Sequence, residues 1–216
     1  MSHYSRALAI LILGAAVAAG GLVLTKQVIA VAGEADAERL NRAILEYVAK
    51  KNPQAPIGAF RRFPEALIAE AQRTNLDHCL ALAQAEVESE FRHDAVGSAG
   101  EIGIFQMLPS TAAMFEPMLG PIRRPTLVRG KRDLGDLADP VVSTRFAMAY
   151  MRDIMGRKVS IREALTEYNG GPAGRHPHYY RMVMGAYVEV LENTELRCRL
   201  RPAAKQPALL ALLTRA

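Results

Sequence analysis

The chain has 216 residues, half of them apolar, with 27 lysines and arginines against 22 acidic residues and a net charge of +5. That length buries a core for one ordinary domain with short appendages, and an ordinary charge content without a long block of one sign excludes a disordered chain. Two cysteines, Cys79 and Cys198, are too few and too far apart for a thiolate metal site.

At the N-terminus, Arg6 precedes an uninterrupted apolar run from Ala7 to Leu24, followed by Lys26 and a small-residue stretch ending in Ala30-Val31-Ala32. A run with no polar face is not a core helix. Residues 1–32 therefore read as a signal peptide or an uncleaved signal anchor, with Arg6 on the cytoplasmic side and everything after Gly33 exported. The expected location is periplasmic, with residues 7–24 as the anchor if the segment is kept. Export removes nucleic acid from the partners that a basic chain admits, leaving anionic membrane or an anionic envelope polymer. In an oxidising compartment the two cysteines form one bridge, or else one is buried and one exposed; both arrangements stay open.

Past the export segment the chain reads as mainly α, helices separated by Gly, Pro and Asn. Residues 33–62 form a helical spacer or packing element, with Leu40, Ile44 and Tyr47 or Val48 at helical spacing before Asn52-Pro53. Pro64 starts a second helix that carries Leu67, Ile68 and Ala71 inward and stops near Asn75. Asp77 caps a third, roughly His78 to Phe91, with Leu80, Ala83, Gln84 and Val87 on one stripe and Glu88 at its edge. Its neighbours Glu86 and Glu90 point to other sides and read as solvated carboxylates. A Gly-rich turn follows, then a short helix from Ser110 to Phe115. Residues 116–137, with Arg123, Arg124, Arg129, Lys131 and Arg132, read as a solvated surface loop. Asp139-Pro140 opens a helix with Val142, Phe146, Tyr150 and Ile154 inward, ended by Gly156, and Ser160 caps a shorter one to about Tyr168. The last helix runs from about Tyr179 to Glu192, and residues 193–216 form a basic tail containing Leu209-Leu210.

Three ordered segments carry chemistry: Ala85-Glu86-Val87-Glu88-Ser89-Glu90-Phe91, then Gly100-Glu101-Ile102-Gly103-Ile104-Phe105-Gln106, then Glu167-Tyr168-Asn169-Gly170-Gly171-Pro172. In this order and at these separations they resemble the catalytic domain of soluble lytic transglycosylases, whose pattern is Glu-Ser-x-Phe at a helix end, a Gly-x-x-Gly-x-x-Gln turn and a later Ala-x-Tyr-Asn-x-Gly. The resemblance covers roughly residues 63–187, and residues 63–192 are taken as the domain. The chain departs from the pattern at Gly97, where the family commonly has Ser, at Glu101, where it has a small residue, and at Ser143, where it has Asn.

The resemblance implies a lysozyme-like fold and an enzyme acting on peptidoglycan. It implies that Glu88 protonates the oxygen between N-acetylmuramic acid and N-acetylglucosamine and then takes the proton of the muramoyl C6 hydroxyl, leaving a 1,6-anhydromuramoyl end. It further implies Gln106 hydrogen-bonding the glycan, Tyr168 close enough to orient Glu88 or to stabilise the charged transition state, Asn169 behind it, and Ser89 and Gly103 in support. The residues fit independently: an acid that is protonated near neutral pH needs an apolar setting, and Glu88 sits at the edge of an apolar helix face. Most glycosidases use two carboxyl groups. A goose-type lysozyme-like hydrolase, with Glu101 or Asp94 positioning water, is therefore one alternative. A non-catalytic glycan-binding component of a secretion or conjugation machine is another. No cofactor and no metal is expected; His93 and Asp94 near Glu90, and His176 and His178 around Pro177, read as solvated turns.

Overall fold

In the computed structural model of the protein, residues 33–128, 131–175 and 177–198 are described. The expected export segment and most of the expected tail lie outside these residues, as do Arg129 and His176. The chain divides into two compact units, Met1–Leu40 and Asn41–Ala216. Residues 33–39 of the first are helical and exposed. No helix among the described residues is long and apolar enough to cross a membrane; the apolar run at 7–24 is not among them.

The second unit is mainly α. Helical residues 41–51 (α1) bury Ala43, Ile44, Tyr47 and Val48, the helical spacing expected. A single turn, Ile57–Phe60 (α2), leads to α3, Phe63–Thr74, whose Pro64 stands in the first turn and whose chain stops at Asn75 in the left-handed conformation. Asp77 then caps α4, His78–Ser89, by accepting from the Cys79 N–H. Farther on come α5 (Pro109–Ala113), α6 (Glu116–Leu119), a hairpin of β1 (Thr126–Val128) and β2 (Lys131–Asp133), and a 3-10 turn at Asp136–Ala138. Three longer helices complete the unit: α7 (Pro140–Arg157), α8 (Ile161–Gly170) and α9 (Pro177–Glu192).

Helix α4 is the centre of the packing. Its residues Cys79, Ala81, Leu82, Ala83, Gln84 and Ala85 are all buried, more of its circumference than the single stripe expected. Small alanines allow α9 and α3 to approach it closely, while α3 and α8 also pack on α7. Leu67, Phe146 and Ile154 are in this core, each almost wholly out of water. A disulfide joins Cys79 at the start of α4 to Cys198, past the 3-10 turn Thr194–Leu196 that follows α9. Of the two arrangements open for the cysteines, the bridge is the one found.

Two expectations need correction. Residues 116–137 are not an irregular loop: they hold α6, the hairpin and the start of a 3-10 turn. Two of the basic side chains that suggested a loop are tied locally. Arg123 bridges Asp133 and Asp136, and Arg124 pairs with Glu116. Nor is Glu86 a solvated carboxylate. It accepts from the Tyr47 hydroxyl at 2.5 Å and pairs with Lys51 at 2.7 Å, while Lys51 also reaches Glu189 on α9 at 2.5 Å. Periodicity assigned Glu86 a helix face; it did not reveal that α1 covers that face.

Candidate active site

Helix α4 ends because two consecutive residues, Glu90 and Phe91, take positive φ values of 52° and 56°. This conformation is costly for residues with a Cβ. Phe91 is fully buried and meets the Tyr47 ring edge-on at 6.2 Å, a packing contact that holds the reversal. The chain therefore doubles back beside the last turn of α4, where Glu88 is. The return is a compact turn with short bridges from Val96 to Ile102 and from Ile102 to Met107.

Ser89 ties this turn to α4. Its hydroxyl lies 3.2 Å from the carbonyl of Ala85, one helical turn back, and 3.0 Å from that of Ile104 across the turn. The first contact is the local one expected; the second gives Ser89 a structural task. Gly100 and Gly103 have φ values of 93° and 79°. At Gly103 a Cβ would lie 2.1 Å from the Leu137 carbonyl oxygen, so only glycine fits there. Gln106 adopts φ 43° and donates through Nε2 to the carbonyls of Gly103 at 2.9 Å and Ala95 at 3.3 Å. Its Oε1 is turned toward Gly97, whose missing side chain leaves room for it and for the Glu101 carboxylate.

Glu88 faces an open groove of about 250 Å³ lined by Val87, Glu88, Asn169, His178, Tyr179 and Met182. Its Oε1 accepts from the Tyr179 hydroxyl at 2.5 Å. Burial pushes the Glu88 carboxyl up to about 7; the Tyr179 hydrogen bond pulls the other way, and the negative charge of Glu101 adds to the rise. A carboxyl whose pKa is about 7 can both give and take a proton near neutrality.

The sequence-derived residues gather as follows. Glu88, Ser89, Gly103, Gln106, Tyr168 and Asn169 all belong to the helix end, the turn or the close of α8. Tyr168 does not hydrogen-bond Glu88. Its hydroxyl donates to the Phe105 carbonyl at 3.0 Å and anchors the turn, while its ring packs on Tyr150 at 5.2 Å. It remains near enough for the Glu88 charge to help burial raise its pKa. Tyr179 is the partner that sequence reasoning missed. One signal was available: Tyr179, Val183, Ala186 and Val190 form the buried stripe of α9, and a tyrosine on such a stripe needs a partner for its hydroxyl.

Among the described residues, one group of three potential metal ligands lies close together, Asp77, His78 and Cys79. Its atoms are already engaged. Cys79 is in the disulfide, His78 Nε2 meets the Leu196 carbonyl at 2.8 Å, and Asp77 caps α4 and accepts from Tyr187.

Residues 65–179 match the family model described as Transglycosylase SLT domain. The match spans more than half of the chain and contains every residue just assigned to the helix end, the turn and the groove except Met182. The protein belongs to the transglycosylase SLT domain family. Among solved structures, it is similar to an inactive mutant of the lytic transglycosylase Slt from Pseudomonas aeruginosa, with 22% identity over 63% of this chain and a TM-score of 0.49. It is also similar to the 70 kDa soluble lytic transglycosylase SLT70 from Escherichia coli, with 22% identity over 64% of this chain and a TM-score of 0.42. The aligned regions span 26% and 23% of those proteins, so this chain corresponds to about a quarter of each. No curated protein sequence matches it.

Proposed function

We propose that the protein is a peptidoglycan lytic transglycosylase of lysozyme-like fold in which Glu88 is the single acid and base. The carrying observation is the setting of that carboxyl. It is sunk at a helix end, held by Tyr179, half-protonated at about pH 7 and open to a groove. Protonated Glu88 gives its proton to the glycosidic oxygen as the bond from the muramoyl C1 breaks. The C6 hydroxyl of the same sugar attacks C1 and returns its proton to the Glu88 carboxylate. The product is a 1,6-anhydro ring, water is not consumed, and the enzyme regains its starting state. Asn169 lines the groove, and membership of the family supports contact of the glycan with Gln106 and the Gly103 turn, which Ser89 and Tyr168 hold from behind.

Membership of the SLT family supports the substrate class, and the Cys79–Cys198 bridge supports an exported, periplasmic protein, because such bridges persist in oxidising compartments. A second reading, hydrolysis, draws on one observation: the charge of Glu101 is felt at Glu88. Asp94 is exposed on the turn and makes no such contribution.

Digestion of purified sacculi followed by mass spectrometry of the soluble muropeptides tests these readings together. Anhydromuramoyl ends are expected, and Glu88→Gln should bind sacculi without releasing them. Reducing ends would establish the hydrolase instead. A folded protein that binds sacculi and releases nothing would be a glycan-binding component.

A further inference from the structure

One buried group beside the site has no part in the mechanism above. Gln84 lies four residues before Glu88, one turn down the same face of α4, and is 3% exposed. Ala81, Leu82, Ala83 and Ala85 around it are apolar and buried, yet its Nε2 has no well-formed hydrogen bond. An idle buried amide donor is destabilising, and an apolar side chain would pack there at less cost. Glu88 on that same face takes the hydrogen bond of Tyr179, which α9 carries, and α9 packs along α4.

The chemistry of Tyr179 specifies what such a donor can do. The phenol proton is committed to Glu88 Oε1, and Tyr179 as a whole is 6% exposed. An oxygen whose proton is engaged can only accept, and an amide N–H is a donor. We propose that the Gln84 amide is a positioning group of this active site: it donates to the Tyr179 oxygen and thereby keeps the tyrosine proton directed at Glu88. The proposal rests on the reading of Glu88 as the catalytic acid. A hydrogen-bonding influence of Gln84 on the Tyr179 phenol, lowering its pKa against the rise that burial imposes, agrees with this geometry.

The relay Gln84 to Tyr179 to Glu88 is asymmetric in charge. When Glu88 gives up its proton, the Tyr179 hydrogen bond to the carboxylate strengthens, negative charge shifts onto the phenol oxygen, and the Gln84 bond strengthens in turn. Gln84 thus favours the state that Glu88 reaches after protonating the leaving oxygen. The other titratable groups around Glu88 are Tyr179 and His178 on α9, Tyr168 on α8 and Glu101 on the turn. None of them replaces a donor behind Tyr179.

The full-length chain, labelled at the glutamate side-chain carboxyl carbons, allows Glu88 to be titrated by NMR, with Glu88→Gln identifying its signal. In Gln84→Met the Glu88 midpoint should move upward by about half a pH unit, since the carboxylate loses indirect support. In a Tyr179→Phe background the same substitution should leave the midpoint where it is. An unmoved midpoint in the single variant, or an equal shift without the tyrosine hydroxyl, would overturn the proposal. A second measurement needs no core substitution. The Gln84 side-chain amide signal of the unaltered protein should shift with the midpoint of Glu88 and stay flat in Tyr179→Phe; a flat signal in the unaltered protein also overturns it. Neither measurement uses turnover, so failure to cut peptidoglycan would sink the proposed function separately.

Discussion

Glu101 acts on Glu88 through space, in the direction opposite to Tyr179. Its carboxylate is held over Gly97, where a Cβ would come within 2.3 Å of Oε2, and it accepts from the Ala99 N–H at 3.0 Å. A fixed negative charge nearby disfavours the ionised form of Glu88 and so raises its pKa. Glu101→Gln removes that charge, and the Glu88 pKa must fall. With Glu88 as the proposed general acid, that acid is lost at lower pH, so the alkaline limb of kcat/KM against pH should move downward while activity on the acid side is kept. If Glu101 were instead the second carboxylate of a hydrolase, the same change would cost orders of magnitude in kcat at every pH. The pH profile of muropeptide release by Glu101→Gln therefore separates an electrostatic neighbour from a catalytic partner. The place of Glu88 at a helix end beside a Gly-rich turn was legible in the sequence, because a Glu-Ser pair followed by such a turn is specific. Tyr179 was not, since it stands 91 positions away and outside the three segments. Only the packing of α9 on α4 makes them neighbours.

The turn from Val96 to Met107 depends on two glycines for different reasons, and the difference can be measured. Gly100 has φ 93° but open space where a side chain would be, whereas at Gly103 a Cβ would run into the Leu137 backbone at 2.1 Å. Gly100→Ala carries only the conformational penalty, roughly 1 kcal/mol in urea unfolding. Gly103→Ala must also push the turn off the 3-10 segment that holds Leu137, at a cost of more than about 3 kcal/mol, and should shift Gln106 with it. Equal losses for the two would show that the contact with Leu137 is not what demands glycine. Element boundaries were legible wherever a cap announced them. Asp77, Asp139 and Ser160 each accept from a first-turn N–H as their positions suggested. The hairpin was not legible. Its strands are three residues each, too short to display an alternating pattern, and the basic residues in and around them imitate a solvated loop.

At the scale of the whole molecule, the mainly α class and the helix order followed from periodicity and punctuation. The burial of α4 on nearly every side did not follow, because a run of alanines is compatible with any face. The disulfide is the other feature that local pattern could not decide. It joins residues 119 positions apart and closes a loop that contains α4 through α9, hence the whole candidate site. Constraining so long a loop removes conformations from the unfolded chain and should stabilise the fold by about 3 to 4 kcal/mol. Its effect on catalysis should be small. Cys79 stands nine residues before Glu88, about 13 Å along the helix, and the Ser89, Tyr168 and Tyr179 contacts that shape the site do not pass through it. Replacing both cysteines by alanine should therefore lower Tm by about 10 °C while leaving kcat/KM at 20 °C within about twofold. Thermal unfolding and muropeptide release on the same samples check both halves. A Tm left unchanged would mean that the unfolded chain is not restrained by the bridge, and a large loss of activity at full folding would mean that the start of α4 and the end that carries Glu88 move as one body.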